Sequence, residues 1–175
     1  MAIHDDARVT VLMADYVAAD AAGKITAVGA AFTMIGLQPD GQTPPLHVAV
    51  LVDVASSYVG HDFALGISLV DHDSGQPVLV PGPSGEHEPL RVAQVVRAQA
   101  PSVPGALLPA GLPGRVQVVL GFPVGLPLQA GRSYRWTVEL DGTSGPAWSA
   151  WFHVPAAAPG PVFGGPVGPA TIPRL

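Results

Sequence analysis

Apolar side chains recur at every second residue in segment after segment of this chain. In Leu46-His47-Val48-Ala49-Val50-Leu51-Val52-Asp53-Val54 the even positions are Leu46, Val48, Val50, Val52 and Val54, and the odd positions are His47, Ala49, Leu51 and Asp53. Successive side chains of a strand point to opposite faces, so the segment reads as a strand with one greasy face and one mixed face. Phe63, Leu65, Ile67 and Leu69 repeat the pattern, with Ala64, Gly66 and Ser68 opposite. Arg115–Gly121 and Tyr134–Leu140 do so again; in the latter Tyr134, Trp136, Val138 and Leu140 oppose Arg135, Thr137 and Glu139. A helix would space its apolar residues three and four apart, and these stretches do not. The best helical stretch, Tyr16–Ala22, is Ala-rich but only about two turns long.

Turn signals fall between the runs. Ala22-Gly23-Lys24 separates an expected strand near Arg8–Asp15 from one near Lys24–Ile35. Residues 39–45 are a Pro/Gly loop, and 71–77 form a tight turn with an Asp cap and a glycine. Residues 141–145 join the last two strands, and Ala100–Gly114 is a Pro/Gly-rich connection. Eight or nine short strands with regular turns are the pattern of a sandwich or barrel, with under about a tenth of the residues helical. A parallel α/β arrangement needs amphipathic crossover helices, which the chain does not offer. The expected organisation is one β domain over 1–154 and a tail over 155–175 that carries six Pro and four Gly. That composition reads as polyproline or disordered chain. Its apolar residues Val162, Phe163, Val167, Ile172 and Leu175 are the anchors through which it would dock on a neighbour.

The 175 residues contain no cysteine, which excludes a disulfide scaffold, a zinc finger and a Cys nucleophile. Thirteen acids against eight bases give a net charge of −5, and seven of the bases are Arg. A nucleic-acid binder carries a basic stripe, and none is visible, so no nucleic-acid partner is expected. Charged residues make up 12%, about half the usual share, so the surface is weakly charged. The first six residues are acidic where a signal peptide is basic, and no apolar run approaches the eighteen residues that span a bilayer. The expectation is a cytoplasmic protein with no membrane insertion.

Two pieces of the chain resemble a known pattern. One is Leu12-Met13-Ala14-Asp15-Tyr16, then Gly23-Lys24-Ile25 and Val28-Gly29-Ala30; the other is Leu128-Gln129-Ala130-Gly131-Arg132-Ser133-Tyr134-Arg135-Trp136, then Asp141-Gly142, Trp148 and Phe152-His153-Val154. Together, over about residues 8–154, they resemble an uncharacterised bacterial family of single-domain β-sandwich proteins with no assigned activity. The resemblance implies a β-sandwich and brings no catalytic residues. The expected fold is therefore all-β, an immunoglobulin-like or fibronectin-like β-sandwich with a Pro/Gly-rich C-terminal tail.

Three acid–His groupings invite a metal: His61-Asp62, Asp71-His72-Asp73 and Glu86-His87-Glu88. In extended chain, residues two apart share a face, so Asp71 with Asp73, or Glu86 with Glu88, could address one ion. The competing reading, solvated turn residues, is the one adopted, and no metal or cofactor is expected. Ser and His are present without a Gly-x-Ser-x-Gly elbow, and 160–165 carries Pro where a phosphate cradle needs N–H donors. No catalytic residue is assigned, and an enzyme is not expected.

Trp148 and Phe152 have one parity and Trp151 the other, so one of the two tryptophans points outward unless a bulge intervenes. An outward Trp is either a sugar platform or an interface residue, and the second reading is preferred. Trp148, Trp151, Phe163 and Ile172 are thus the expected interaction residues. The function expected from the sequence is a non-enzymatic structural or interaction protein working through protein–protein contacts, as a homo-oligomer or a subunit of a larger complex. The alternative is a metal-dependent or small-ligand-binding enzyme using the acid–His loops.

Overall fold

The computed structural model describes residues 3–20, 23–82, 84–101, 105 and 107–156. Among them a one-turn helix α1 (Ile3–Asp6) precedes eleven strands: β1 (Arg8–Ala14), β2 (Tyr16–Ala19), β3 (Ile25–Val28), β4 (Leu46–Val54), β5 (Asp62–Asp71), β6 (Leu79–Pro81), β7 (His87–Pro89), β8 (Arg91–Arg97), β9 (Gly114–Phe122), β10 (Arg132–Leu140) and β11 (Thr143–Val154). With 54% strand and 5% helix, the protein is all-β and stays within the expected helical limit. No helix among the described residues is long and apolar enough to cross a membrane.

The long strands sort into two antiparallel sheets, ordered β1-β4-β9 and β11-β10-β5-β8. Their greasy faces meet. Val48, Val50, Val52 and Val54 of β4 join Leu65, Ile67 and Leu69 of β5 and Trp136, Val138 and Leu140 of β10 in one buried core. Each such side chain contributes about 1.5–3 kcal/mol when fully buried, so the alternation read from the sequence is the main stabilising feature of the fold.

Local preference loses to pairing at Tyr16–Ala22. Tyr16–Ala19 is not helical: it is β2, paired antiparallel with β3 from Tyr16↔Val28 to Ala19↔Ile25. Two turns of helix are too short to hold themselves together, and the hairpin buries Val17. This hairpin packs on the other side of the three-stranded sheet, where Ala14, Val17 and Ala49 form a second small core with Ile25, Ala27 and Leu51 around them. That cover explains the mixed odd positions of β4: Ala49 is buried although it faces away from the main core.

The strand expected over Lys24–Ile35 ends at Val28, because Gly29 and Ala31 adopt φ of 63° and 62°. Met34 then returns as a single bridge beside His153. Asp141 and Gly142, with φ of 47° and 77°, make the two-residue hairpin turn between β10 and β11, so the connection is shorter than 141–145. Register slips between Thr137 and Glu139, and beyond the slip the parity of β11 holds. Trp148 and Phe152 are buried, and Trp151 points out. Beyond Ala156 the expected tail, with Phe163 and Ile172, lies outside the described residues.

Candidate functional site

β8 and β9 are the last strands of their respective sheets. Where they approach, a groove of about 670 Å³ runs along the edge of β9 and is lined from both faces of that strand. Its floor is apolar: Val116 is buried, and Val96 and Val118 pack against the main core. Its rim is polar and carries the amides of Gln94, Gln99 and Gln117. Gln94 takes the same parity as Val92 and Val96 on β8, so it sits at an inward position of an edge strand and remains exposed. Gln99 and Arg115 exchange two backbone hydrogen bonds, of 3.1 and 2.9 Å, which close one end of the groove. The Gln117 side-chain amide donates to the Gly23 carbonyl and fastens the β2–β3 turn over the groove.

The two guanidinium groups of the groove are already matched by carboxylates. Arg115 donates from Nε and Nη2 to both Asp53 oxygens at 2.6 and 3.0 Å, and Arg97 does the same to Asp62 at 2.6 and 2.9 Å. Such two-pronged bonds fix the geometry of both partners. The Arg97 hydrogen bonds hold the Asp62 carboxyl below its ordinary range. The groove therefore offers a ligand amide donors and acceptors over an apolar floor, with its guanidinium groups engaged.

The acid–His loops do something else. Asp71 closes β5: one oxygen accepts from the Ser74 amide at 2.8 Å and hydroxyl at 2.7 Å, and the other accepts from Arg132 at 3.2 Å. Asp73, Glu86 and Glu88 are exposed, and among the described residues no three His, Asp or Glu side chains converge on a point where an ion could sit. His61 and His72 lie beside rings, Tyr58 and Trp151, at centroid distances of 6.3 Å in both cases.

The Asp71 contacts give a testable pH dependence. The Ser74 bonds first, and Arg132 after them, lower its carboxyl from 3.8 to about 2. A carboxyl lowered on folding stabilises the fold above its unfolded value and loses that contribution as pH falls through the folded one. Asp71→Asn is thus expected to lower Tm at pH 7, with the two melting curves converging as pH falls from about 4 towards 2. Parallel Tm-against-pH profiles for the two proteins would refute the assignment.

No family model matches the chain, and no curated protein matches it. Among solved structures the chain is similar to Pseudomonas fluorescens alkylpurine DNA glycosylase AlkC bound to DNA containing an abasic site analog, at 10% identity and a TM-score of 0.34. The match covers 71% of this chain and spans 28% of that one.

This finding corrects two expectations drawn from the sequence: a non-enzymatic protein acting through protein or self contacts, and the exclusion of nucleic acid as a partner. The matched protein is an enzyme and is bound to DNA. Physically, a weakly charged, apolar composition describes a surface and does not select what lies against it. A likeness of this size transfers neither the glycosylase activity nor the DNA to this chain.

The groove residues escaped the sequence reading. Gln94 between Val92 and Val96 is the one local signal, a polar residue at an inward position of an alternating run. It becomes readable only once β8 is known to be an edge.

Proposed function

We propose that the chain is a small-molecule-binding β-sandwich whose ligand lies in the groove between β8 and β9. The observation that supports this reading is the combination of about 670 Å³ of space, a floor of Val96, Val116 and Val118, and a rim of three glutamine amides. Ligand sites are concavities of this size in which apolar groups hold the body of the guest and polar ones orient it, and here the two kinds line the groove in equal number. Because Arg97 and Arg115 are matched by Asp62 and Asp53 and the Asp20 carboxylate also lines the groove, the fitting guest carries no negative charge and has an apolar body with hydrogen-bonding ends. Amide side chains bind and orient such a guest by donating and accepting hydrogen bonds.

The test uses the neutral apolar fluorophore N-phenyl-1-naphthylamine. Saturable enhancement at one molecule per chain is expected, with at least about tenfold weaker binding in Val118→Trp, which fills the floor, and in Gln94→Trp, which blocks an exposed part of the rim. Unsaturable signal, or affinity unchanged in both folded variants, would remove the groove as the site.

A further inference from the structure

The outward side of the four-stranded sheet carries a feature that the groove does not use. Arg135 and Trp151 are cross-strand partners on that side, and Trp151 is 53% exposed. The other arginines of this sheet are matched: Arg91 with Glu139, Arg97 with Asp62, Arg132 with Asp71. Among the described residues Arg135 has no hydrogen-bond or ion-pair partner, and its Nε is buried and unbonded. The two Nη atoms are likewise unbonded but not buried, so it is they that stand open to an anion that the chain itself does not supply.

The surroundings narrow the anion. Along the next row of the same face Ser149, Thr137 and Ser68 stand in register across β11, β10 and β5, a line of three hydroxyls beside Trp151 and Arg135. The His72 ring lies against the indole at 6.3 Å, and Met34, 63% exposed, stands beside His153 at the same end of the face. Neighbouring strands are about 4.8 Å apart and same-face residues about 7 Å, so indole and guanidinium lie within the span of one sugar ring, and the hydroxyl row, about 10 Å long, within that of two or three linked rings.

We infer that this face is a second binding site, independent of the groove, and that it takes an acidic saccharide of the uronic-acid type. The C–H face of one pyranose stacks on Trp151, its carboxylate accepts from Arg135, and the hydroxyls of the rings linked to it meet the Ser149–Thr137–Ser68 row. One carboxylate per sugar ring suits one unmatched arginine, whereas the denser charge of a polyphosphate would be repelled more strongly by a chain whose net charge is −5. An aromatic carboxylate would use the indole and the guanidinium but leave the hydroxyl row idle.

Calorimetric titration of the full chain with trigalacturonate tests this, with neutral galactotriose and benzoate as comparison probes. Saturable binding of trigalacturonate is expected, at least about tenfold tighter than either comparison probe and weakening as salt is raised. Trp151→Ala and Arg135→Gln should each weaken it at least about tenfold with the melting curve retained, while Gln94→Trp in the groove leaves it unchanged. No saturable binding, equal binding of benzoate, or full affinity in both variants would overturn the assignment. A loss in Gln94→Trp equal to that in Trp151→Ala would also overturn it, by moving the sugar to the groove.

Discussion

Trp136→Ala is expected to lower the free energy of unfolding by about 3–5 kcal/mol, the range for removing a buried large aromatic. Trp136 is 1% exposed and lies between Leu69 of β5 and Ala150 of β11 in the register of the sheet. Its ring is 5.6 Å from that of Phe122 on β9, so it ties the four-stranded sheet to the three-stranded one. Deleting it leaves a cavity that both layers must span. Its indole N–H is buried with no acceptor among the described residues, which predicts a second result. Trp136→Phe gives up apolar area but also removes an unsatisfied donor worth about 1–3 kcal/mol, so its net cost should stay under about 2 kcal/mol. Urea denaturation measures both. Trp151→Ala, at an exposed position, should stay within about 0.5 kcal/mol. A Trp136→Ala cost as small as that would mean that the two sheets do not share this core.

Gly125→Ala is expected to cost about 2–4 kcal/mol, from two separable sources. The residue holds φ of 76°, where a Cβ is strained by about 1–2 kcal/mol. The Cβ would also land on the carbonyl oxygen of Thr43. Thr43 is fully buried; its amide donates to Leu126 at 3.0 Å, and its hydroxyl oxygen accepts from the Leu126 amide at 2.9 Å. These bonds pin the approach to β4 against the exit from β9, and displacing Thr43 leaves buried groups unpaired. Gly75→Ala provides the control: φ is 69° there, with open space around the added methyl, so only the strain should be paid. Equal losses at the two sites would show that the Thr43 contact contributes nothing.

The strands over 46–54, 63–69, 115–121 and 134–140 were legible because a sheet with one buried face writes itself into every second residue. The opposite facing of Trp148 and Trp151 was legible for the same reason. The acid–His loops drew attention by composition, yet Asp71 spends its oxygens on Ser74 and Arg132, the second of which lies 61 residues away. Tyr16–Ala19 was unreadable as a strand because its partner and the Ala49 face it covers are set by packing and not by its own propensity.

What the sequence by itself determined was therefore the period, the fold class and the greasy face of each long strand, all properties of neighbours along the chain. Only the tertiary structure decided which strands became edges, and so where the groove opened. It also decided which arginines found a carboxylate. Arg115 meets Asp53 across 62 residues and Arg97 meets Asp62 across 35, while Arg135 meets none among the described residues. Strand order and register fix those encounters, and no local pattern encodes them, because a side chain two residues away along the chain is no nearer than one on the adjoining strand.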